Sequence, residues 1–327
     1  VAALSGSALN NLPADDDNRV ITVRTRLVEA GLRTSELVSN GQRVVLGTMG
    51  VVAGWDYEWG LNHSTSTISD RDHQGYLNEQ MVRDGFAAGT LNPFGPSGAA
   101  GLSLYEAAQI RGEVRRATGS MTSLDLKASR PLMKLDGGDL ALALGAELRR
   151  EKQKYHQSDA LAQDLILGET SQGTAADFGK SRQVSALFAE VSAPVSKQLE
   201  LQAALRYERY QVSGGAFSPK LGLRYTPSKE LLLRASVGAG FRAPSMSDLY
   251  RPVTEGTAAT LVDPVCMAAD PANTVTDCSD TWTTLNYSNN KLKPEKSRQF
   301  SMGVVFEPAR DMSVSLDYWN VEKRDLI

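Results

Sequence analysis

Residues 231–250 read LLLRASVGAGFRAPSMSDLY and decide the fold of this chain. Up to position 241, apolar side chains alternate with small or charged ones, which is the period of a β-strand. The apolar face contains Leu231, Leu233, Ala235, Val237, Ala239 and Phe241. The second face is mostly small or charged, so the strand suits a wall with lipid on one side and water on the other. Gly240 permits a bend, and Pro244 ends the strand.

The composition excludes several classes of protein. The chain has 327 residues and a net charge of -3, from 35 basic and 38 acidic side chains. A nucleic-acid partner would require a basic surface, and this charge balance does not indicate one. No apolar run approaches the ~18 residues of a spanning helix, and residues 1–4 lack the basic start of a signal peptide. Any membrane role must depend on strands.

Alternation along the chain predicts about eleven strands. Several are longer than the five to six residues common in soluble sheets and approach the ~9–11 residues of a membrane strand. For residues 140–149 an amphipathic helix rich in Ala and Leu is the alternative. The predicted strands are residues 20–28, 43–52, 55–65, 113–129, 140–154, 182–195, 199–213, 217–226, 231–241, 300–306 and 312–319.

The predicted connections alternate in kind. Short turns at 53–54, 135–139, 196–198 and 227–230 face long polar loops at 66–112, 159–180 and 242–296. Short turns on one rim and long loops on the other are typical of outer-membrane barrels, whose short side is periplasmic. We expect residues 33–42 to be the polar exit of the first strand and residues 78–88 to form a short helix.

Two sets of side chains indicate what lies on each face. Arg206 and Glu208 recur at period two beside leucines, which suits a wet lumen and not a dry sandwich core. Trp55, Tyr57 and Trp59 share a face beside the 53–54 turn. They predict an aromatic girdle at a membrane edge, with a packed aromatic cluster in a soluble sheet as the alternative.

Two segments resemble motifs of the TonB-dependent outer-membrane receptors. Residues 289–297, NNKLKPEKS, are similar to that family's N-P-x-L-K-P-E-x-S, with Asn290 in place of the usual proline. The resemblance is most specific over residues 230–325. It implies an all-β fold, a transmembrane antiparallel up-and-down β-barrel of which this chain is a part. The motif residues are Gly240, Phe241, Arg242, Ala243, Pro244, Ser245, Leu292, Lys293, Pro294, Glu295 and Ser297.

The same resemblance implies a domain assignment. In the family, a plug domain precedes a barrel of about 22 strands. Residues 1–327 show no plug, no TonB box and no aromatic C-terminal strand. We therefore expect all of residues 1–327 to belong to the barrel domain, with strands missing on both sides.

By resemblance, the parent protein is a receptor in the outer membrane of a Gram-negative bacterium. It imports a scarce solute, namely a ferric siderophore, cobalamin or an oligosaccharide. TonB supplies the energy through the plug, the other partners are outer-membrane lipids, and no cofactor is implied. A passive porin or adhesin-like barrel is the alternative, but neither is expected to carry the two motifs. An enzyme is the third class, for which no GxSxG, HExxH or CxxC pattern occurs, so we predict no catalytic or metal-binding residues.

The loop at 242–296 carries the remaining candidate residues. A disulfide between Cys266 and Cys278 fits an exported protein, and two free thiols are the alternative. Arg251, Trp282 and Tyr287 are candidate solute contacts, because guanidinium and aromatic groups pair with anionic chelates or stack on sugars. Otherwise they pack within the loop.

The alternation also predicts which side chains share a face of the barrel wall. We expect one set to touch lipid, namely Leu233, Val237, Met302, Val304, Val314 and Leu316. We expect a second set to face the lumen, namely Arg234, Ser236, Ser315 and Asp317.

Overall fold

The computed structural model describes residues 25–169, 177–269, 274–275 and 278–327, with the side chains of 254–259 and 281–283 left aside. The strand predicted at 20–28 lies mostly outside these residues. Where the described chain begins, the prediction is wrong, because Val28–Ala30 form a 3₁₀ turn that Gly31 ends at φ 85°.

The described chain is built mainly of strands. The strands are β1 Thr34–Val52, β2 Trp55–Gln74, β3 Gly112–Leu135, β4 Gly138–Gln157, β5 Phe178–Pro194, β6 Leu199–Tyr210, β7 Gly214–Tyr225, β8 Leu231–Arg242, β9 Thr254–Val262, β10 Ser279–Asn286, β11 Glu295–Ala309 and β12 Met312–Arg324. The helices are α1 Glu79–Ala87, α2 Gly98–Ala107, α3 Asp159–Ala162, α4 Met246–Tyr250 and α5 Pro264–Ala269. None of these helices is long and apolar enough to cross a membrane.

All of these strands except β9 and β10 form one antiparallel, up-and-down sheet of part-barrel type. Its 10 strands follow the order β1-β2-β3-β4-β5-β6-β7-β8-β11-β12. The hairpin of β9 and β10 is a separate two-stranded sheet inserted between β8 and β11. The all-β prediction is confirmed, and the helical alternative for residues 140–149 is excluded because they lie within β4.

We call one end of the sheet the turn rim, because two connections there, 53–54 and 136–137, are only two residues long. At the opposite end, the loop rim, the long connections are residues 75–111, 158–177 and 243–294. The helix predicted at 78–88 is confirmed as α1.

Both β1 and β2 extend further toward the loop rim than the sequence predicts. They contain 19 and 20 residues, so the loop predictions for 34–42 and 66–74 are wrong. The apolar row on the outward face ends at Leu61, and pairs such as Asn40 with Thr67 continue the ladder beyond it. Backbone hydrogen bonds between the strands continue in this region. The alternation of apolar and polar side chains, on which the prediction depended, does not.

The strand register confirms how the predicted side chains are grouped. Directly opposite residues of antiparallel strands point to the same face, which puts Leu233, Val304 and Leu316 together. On the other face, Arg234 Nη2 donates to Asp317 Oδ2 at 2.7 Å, passing over Gly303, where any Cβ would collide with the carboxylate. The contact of the first group with lipid stays a prediction.

Candidate solute-binding face

At the loop rim, three segments fold into a body that we call the loop cap, comprising residues 25–33, 75–111 and 158–169. Its buried apolar residues form two clusters, which together draw on all three segments and on Val114 of β3. The first contains Ala30, Leu77, Val82, Leu91, Tyr105 and Ala108, and the second contains Val114, Leu161 and Ile166. A connection with its own buried core is a structured surface and not a flexible polar loop.

Hydrogen bonds tie the segments of the loop cap together. The Leu167 N–H donates to the Leu77 carbonyl at 2.8 Å, which joins the two long connections. The Glu29 carboxylate accepts from the Ser97 hydroxyl at 2.6 Å and from its backbone N–H at 3.1 Å, which joins the first segment to α2. The three segments of the cap are therefore bonded to one another at the ends of β2, β3 and β4.

A buried carboxyl group lies where β2 enters the loop cap. Asp72 is 3% exposed, and its Oδ2 has no hydrogen-bond partner among the described residues. Nearby, Arg115 pairs with Asp70 at 2.9 Å and with Glu169 at 2.6 Å. Asp72 lies well beyond Leu61, outside the apolar band, and burial together with the charges of Glu169 and Asp70 raises its pKa to about 6. This carboxyl group titrates near neutral pH.

The inner face of β4, β5 and β6 carries a network of paired charges. Arg149 contacts Glu147 and, at 2.7 Å, Glu151 on its own strand. From β6, Arg206 donates to Glu147 and to Glu208, at 2.6 Å in each case. The prediction that Arg206 and Glu208 share a polar inner face is therefore confirmed. Several ions on one wall require water or polar neighbours, as in a wide lumen.

The segment after β8 turns inward and docks on this wall. Arg182 of β5 donates through Nη1 to the Pro244 carbonyl at 2.5 Å and through Nε to Glu151 at 2.7 Å. Its guanidinium group lies 5.0 Å from the centre of the Tyr210 ring. Since Arg182 is only 9% exposed, these contacts satisfy a buried charge and fix the position of Pro244.

The short helix α4 follows immediately. The Ser245 hydroxyl accepts from the Asp248 N–H at 3.1 Å, while the Asp248 carboxylate accepts from the Ser245 N–H at 2.8 Å, forming a capping box. Met246 and Leu249 are buried. Pro244 and Ser245 thus end the strand, begin the helix and point the rest of the loop back across the inner wall.

Residues of the second motif, 289–297, contact this turn from the β11 side. Glu295 and Arg242 form an ion pair at 3.0 Å where β11 meets β8. The Asn289 N–H donates to a carbonyl of α4 at 2.9 Å. A Cβ at Gly240 would lie 2.9 Å from the Ser297 hydroxyl, so glycine allows the two strands to approach. Both motifs therefore contribute contacts that hold together the corner where β8, α4 and β11 meet.

The hairpin of β9 and β10 extends from that corner. Cys266 of α5 and Cys278 form a disulfide with a Cα–Cα distance of 5.6 Å, which confirms the predicted bond. The bond closes the far end of the hairpin. At the near end, Thr254 pairs with Asn286.

The candidate solute contacts lie at both ends of this hairpin. Arg251 and Tyr287 flank its near end, where Tyr287 is 69% exposed. Trp282 lies in β10, where the register with β9 shifts between Thr281 and Thr283. The structure therefore brings two of the three candidates to one end of the hairpin and sets Trp282 further along. Their role in binding stays a prediction.

A comparison with protein families identifies the fold. The family described as TonB dependent receptor-like, beta-barrel, matches residues 5–327. The chain belongs to this family. It is a family of transport receptors of the Gram-negative outer membrane and not a family of enzymes. No curated protein matches the chain.

Solved structures of receptors share the fold. The siderophore receptor PirA from Acinetobacter baumannii aligns with a TM-score of 0.58 at 13% identity, over 89% of this chain and 35% of that chain. A mutant of the ferric enterobactin receptor PfeA from Pseudomonas aeruginosa aligns with a TM-score of 0.58 at 17% identity, with the same coverage of both chains. The RagAB peptide transporter aligns with a TM-score of 0.53 at 14% identity, over 90% and 31%. This chain of the TonB-dependent receptor family spans about a third of the length of these proteins.

Within the receptor sheet, β8 pairs with β7 only as far as Gly238, so the two strands separate toward the loop rim. A crevice of about 1030 Å³ opens there, bordered by both family motifs. Phe241 turns its ring edge-on to Tyr210 at a centroid distance of 6.1 Å. Ala243 is half-buried. The motif residues that line the crevice are Gly240, Phe241, Leu292, Lys293, Pro294 and Ser297.

A second hollow, of about 770 Å³, lies between α4 and strands β1 to β5. Its walls include Arg43, Met121, Glu151, Arg182 and Met246. Such a mixture of apolar surface and a few polar groups is common in small-molecule sites. We did not predict this hollow from sequence, because each residue comes from a different element. Among the described residues, no group of three or more His, Cys, Asp or Glu side chains can hold a metal ion.

Proposed function

We propose that this chain is part of an outer-membrane receptor that imports a scarce solute into a Gram-negative bacterium. The solute is a ferric siderophore, cobalamin or an oligosaccharide, and TonB supplies the energy through a plug domain. The observation that supports this proposal is the docking of α4 on the inner wall through Arg182 and Pro244. The match of residues 5–327 to the receptor family favours this proposal over a passive pore.

The docked helix gives solute capture a route to the lumen. The 243–294 connection leaves β8 as α4, forms the disulfide-closed hairpin and returns to β11. A solute held by the hairpin and the loop cap would contact α4, which covers the 770 Å³ hollow. A plug filling the lumen would meet α4 and the paired charges around Arg149 and Arg206.

The chemistry of the hollow favours an anionic or strongly polar solute. Arg43 donates to Asn62 at 2.8 Å and keeps further N–H groups for a ligand oxygen. Met121 and Met246 offer adaptable apolar contact beside it. A ferric siderophore meets both demands and is the first solute class to test. The structural neighbour described as a peptide transporter adds peptides to the panel.

The decisive test uses the full-length receptor. Residues 255–285 are replaced by a short Gly/Ser linker, which leaves the direct pairing of Glu295 with Arg242 in place. We expect high-affinity solute binding to be lost while barrel assembly, measured by heat-modifiable electrophoretic migration, is retained. As a control, Lys229→Gln at the turn rim should leave binding unchanged.

Uptake then separates an energised receptor from a pore. Transport of the labelled solute should stop when an ionophore collapses the proton gradient. If the linker variant took up solute at the normal rate, and uptake continued without the gradient, a passive porin would be the better description.

A further inference from the structure

The loop cap contains a pocket of about 350 Å³ that the proposed import route does not use. Residues 25–29 and the turn at residues 92–96 form most of its walls, and helices α1 and α2 contribute one aromatic side chain each. The pocket shares no lining residue with the hollow beneath α4. Its volume is at the lower end of the range for small-molecule sites, so it suits one compact group. We call it the cap pocket.

Three aromatic side chains line the cap pocket. Phe86 of α1 is half-buried, Tyr105 of α2 is 4% exposed, and Phe94 in the turn is 53% exposed. The face of an aromatic ring carries partial negative charge and attracts cations, including methylated ammonium groups. The other apolar wall residues are Leu27, Val28, Pro93 and Pro96.

The turn that carries Phe94 is fixed by its own hydrogen bonds. Asn92 Oδ1 accepts from the Phe94 N–H at 3.0 Å, and the Asn92 N–H donates to the Ser97 hydroxyl at 3.0 Å. Asn92 Nδ2 also donates to the Pro96 carbonyl at 3.4 Å. The two prolines of the turn limit its backbone further. The exposed ring is therefore held in place before a ligand binds, which lowers the ordering cost of binding.

The cap pocket carries one charge of each sign. The Glu29 carboxylate accepts from Ser97 and keeps further lone pairs on its two oxygens. Burial, together with the charge of Glu29, raises the pKa of Tyr105, so the phenol stays neutral near neutral pH. Arg26 is exposed, and among the described residues no carboxylate lies within 4.0 Å of its guanidinium nitrogens. A ligand with a cation at one end and an anion at the other complements these charges.

The hydrogen bonds of the turn argue against a carbohydrate in this pocket. A sugar ring needs polar side chains that are free to bond its hydroxyl groups, because a hydroxyl buried without a partner is costly. Both polar groups of the Asn92 amide are used within the turn, and the Ser97 hydroxyl donates to Glu29 at 2.6 Å. A cation covered by methyl groups has no hydrogen bond to lose and enters such a pocket at lower cost.

We propose that the cap pocket binds a small zwitterion with a quaternary ammonium group, such as a betaine or phosphocholine. The trimethylammonium group lies among Phe86, Phe94 and Tyr105, beside the Glu29 carboxylate. The anionic end, a carboxylate or a phosphate, pairs with Arg26 through charge-assisted hydrogen bonds. This site is separate from the solute site of the proposed function.

The test measures binding of phosphocholine to the purified full-length receptor in neutral, choline-free detergent by isothermal titration calorimetry. The comparison ligand is its tert-butyl analogue, in which an uncharged carbon atom replaces the ammonium nitrogen. The two ligands have the same shape, so a difference between them reports the cation. We expect the uncharged analogue to bind about tenfold more weakly.

Two variants separate the two ends of the ligand. Phe94→Ala removes an exposed ring and should lower phosphocholine affinity about tenfold. Arg26→Gln should also lower phosphocholine affinity about tenfold, but should leave the affinity for choline, which has no anionic end, unchanged. Leu102→Ala, a change of a 51% exposed side chain of α2 outside the pocket, is the matched control and should bind phosphocholine normally. Hydrogen-exchange protection of the Leu167 amide confirms that the cap stays folded.

A soluble short-chain phosphatidylcholine distinguishes a free zwitterion from a lipid headgroup. Tighter binding than phosphocholine would assign the pocket to a lipid-borne headgroup, and equal or weaker binding would assign it to the free form. Equal affinity for phosphocholine and its uncharged analogue, or full affinity in Phe94→Ala, would overturn the inference. None of these measurements uses the imported solute or TonB, so failure of the transport proposal would leave the result standing.

Discussion

Replacing Arg182 by methionine should release α4 from the inner wall while leaving the barrel assembled. The guanidinium group binds the Pro244 carbonyl at 2.5 Å and stacks on Tyr210 at 5.0 Å. A charged donor contributes about 1.5–3 kcal/mol and the ring contact about 0.5–2 kcal/mol. Methionine keeps most of the stem. Glu151 retains its second partner, Arg149 at 2.7 Å, so the loss falls mainly on α4.

We therefore expect α4 docking to weaken by about 3 kcal/mol, a change of roughly 100-fold in the opening equilibrium. Hydrogen exchange measures it at amides that the docked helix protects, namely those of Asp248, Leu249, Arg251 and Asn289. Arg182→Lys keeps the charge but cannot form both bonds, and should give an intermediate effect. Arg234→Met, a change on the same face far from α4, is the control. Unchanged exchange at these four amides in Arg182→Met would refute the reasoning.

Three further predictions concern other parts of the molecule. Leu316→Arg, on the apolar outward face, should lower unfolding free energy in lipid vesicles by about 2–4 kcal/mol if it lies near the midplane, and Ser315→Arg should cost far less; equal costs would reverse the assigned faces. For Asp72, the folded pKa of about 6 exceeds the ordinary value of 3.8, so loop-cap stability is highest below pH ~4 and falls as pH rises through 6. Asp72→Asn should therefore increase protection of the Leu167 amide at pH 8, by up to about 3 kcal/mol, but not at pH 4; a pH-independent difference would contradict this. Changing Cys266 and Cys278 to serine should destabilise the hairpin by about 3 kcal/mol and weaken solute binding without affecting assembly, as measured by protease sensitivity; unaltered cleavage of the hairpin would argue against it.

The strands could be predicted where one face is apolar, but not where both faces are polar. Strands β5 to β8 were predicted nearly in full, because apolar side chains recur at almost every second position. The upper half of β2 was missed because, apart from Ile68, all of residues 66–74 are polar. A strand's length is set by its neighbour's hydrogen bonds, which a single stretch of sequence does not show.

The candidate site divides in the same way. The motif at 240–245 and the disulfide were recognisable, because each depends on residues close in sequence. The apolar core of the loop cap was not, although Val82 and Phe86 at helical spacing were a usable signal. The Arg182 anchor was also missed, since its acceptor Pro244 is 62 positions away. A contact between residues so far apart in sequence depends on the three-dimensional fold and is not visible in a local stretch of sequence.

The length of β3 sets how far the receptor reaches from the cell. Its 24 residues cover roughly 80 Å of chain at 3.3 Å each, or about 60 Å of height at a tilt of about 40°. The hydrocarbon layer accounts for about half of that. What remains is a wall of hydrogen-bonded strands that continues beyond the lipid and carries the loop cap at its end. The external loops are thus supported by the sheet itself, at a distance from the hydrocarbon that the strand length sets.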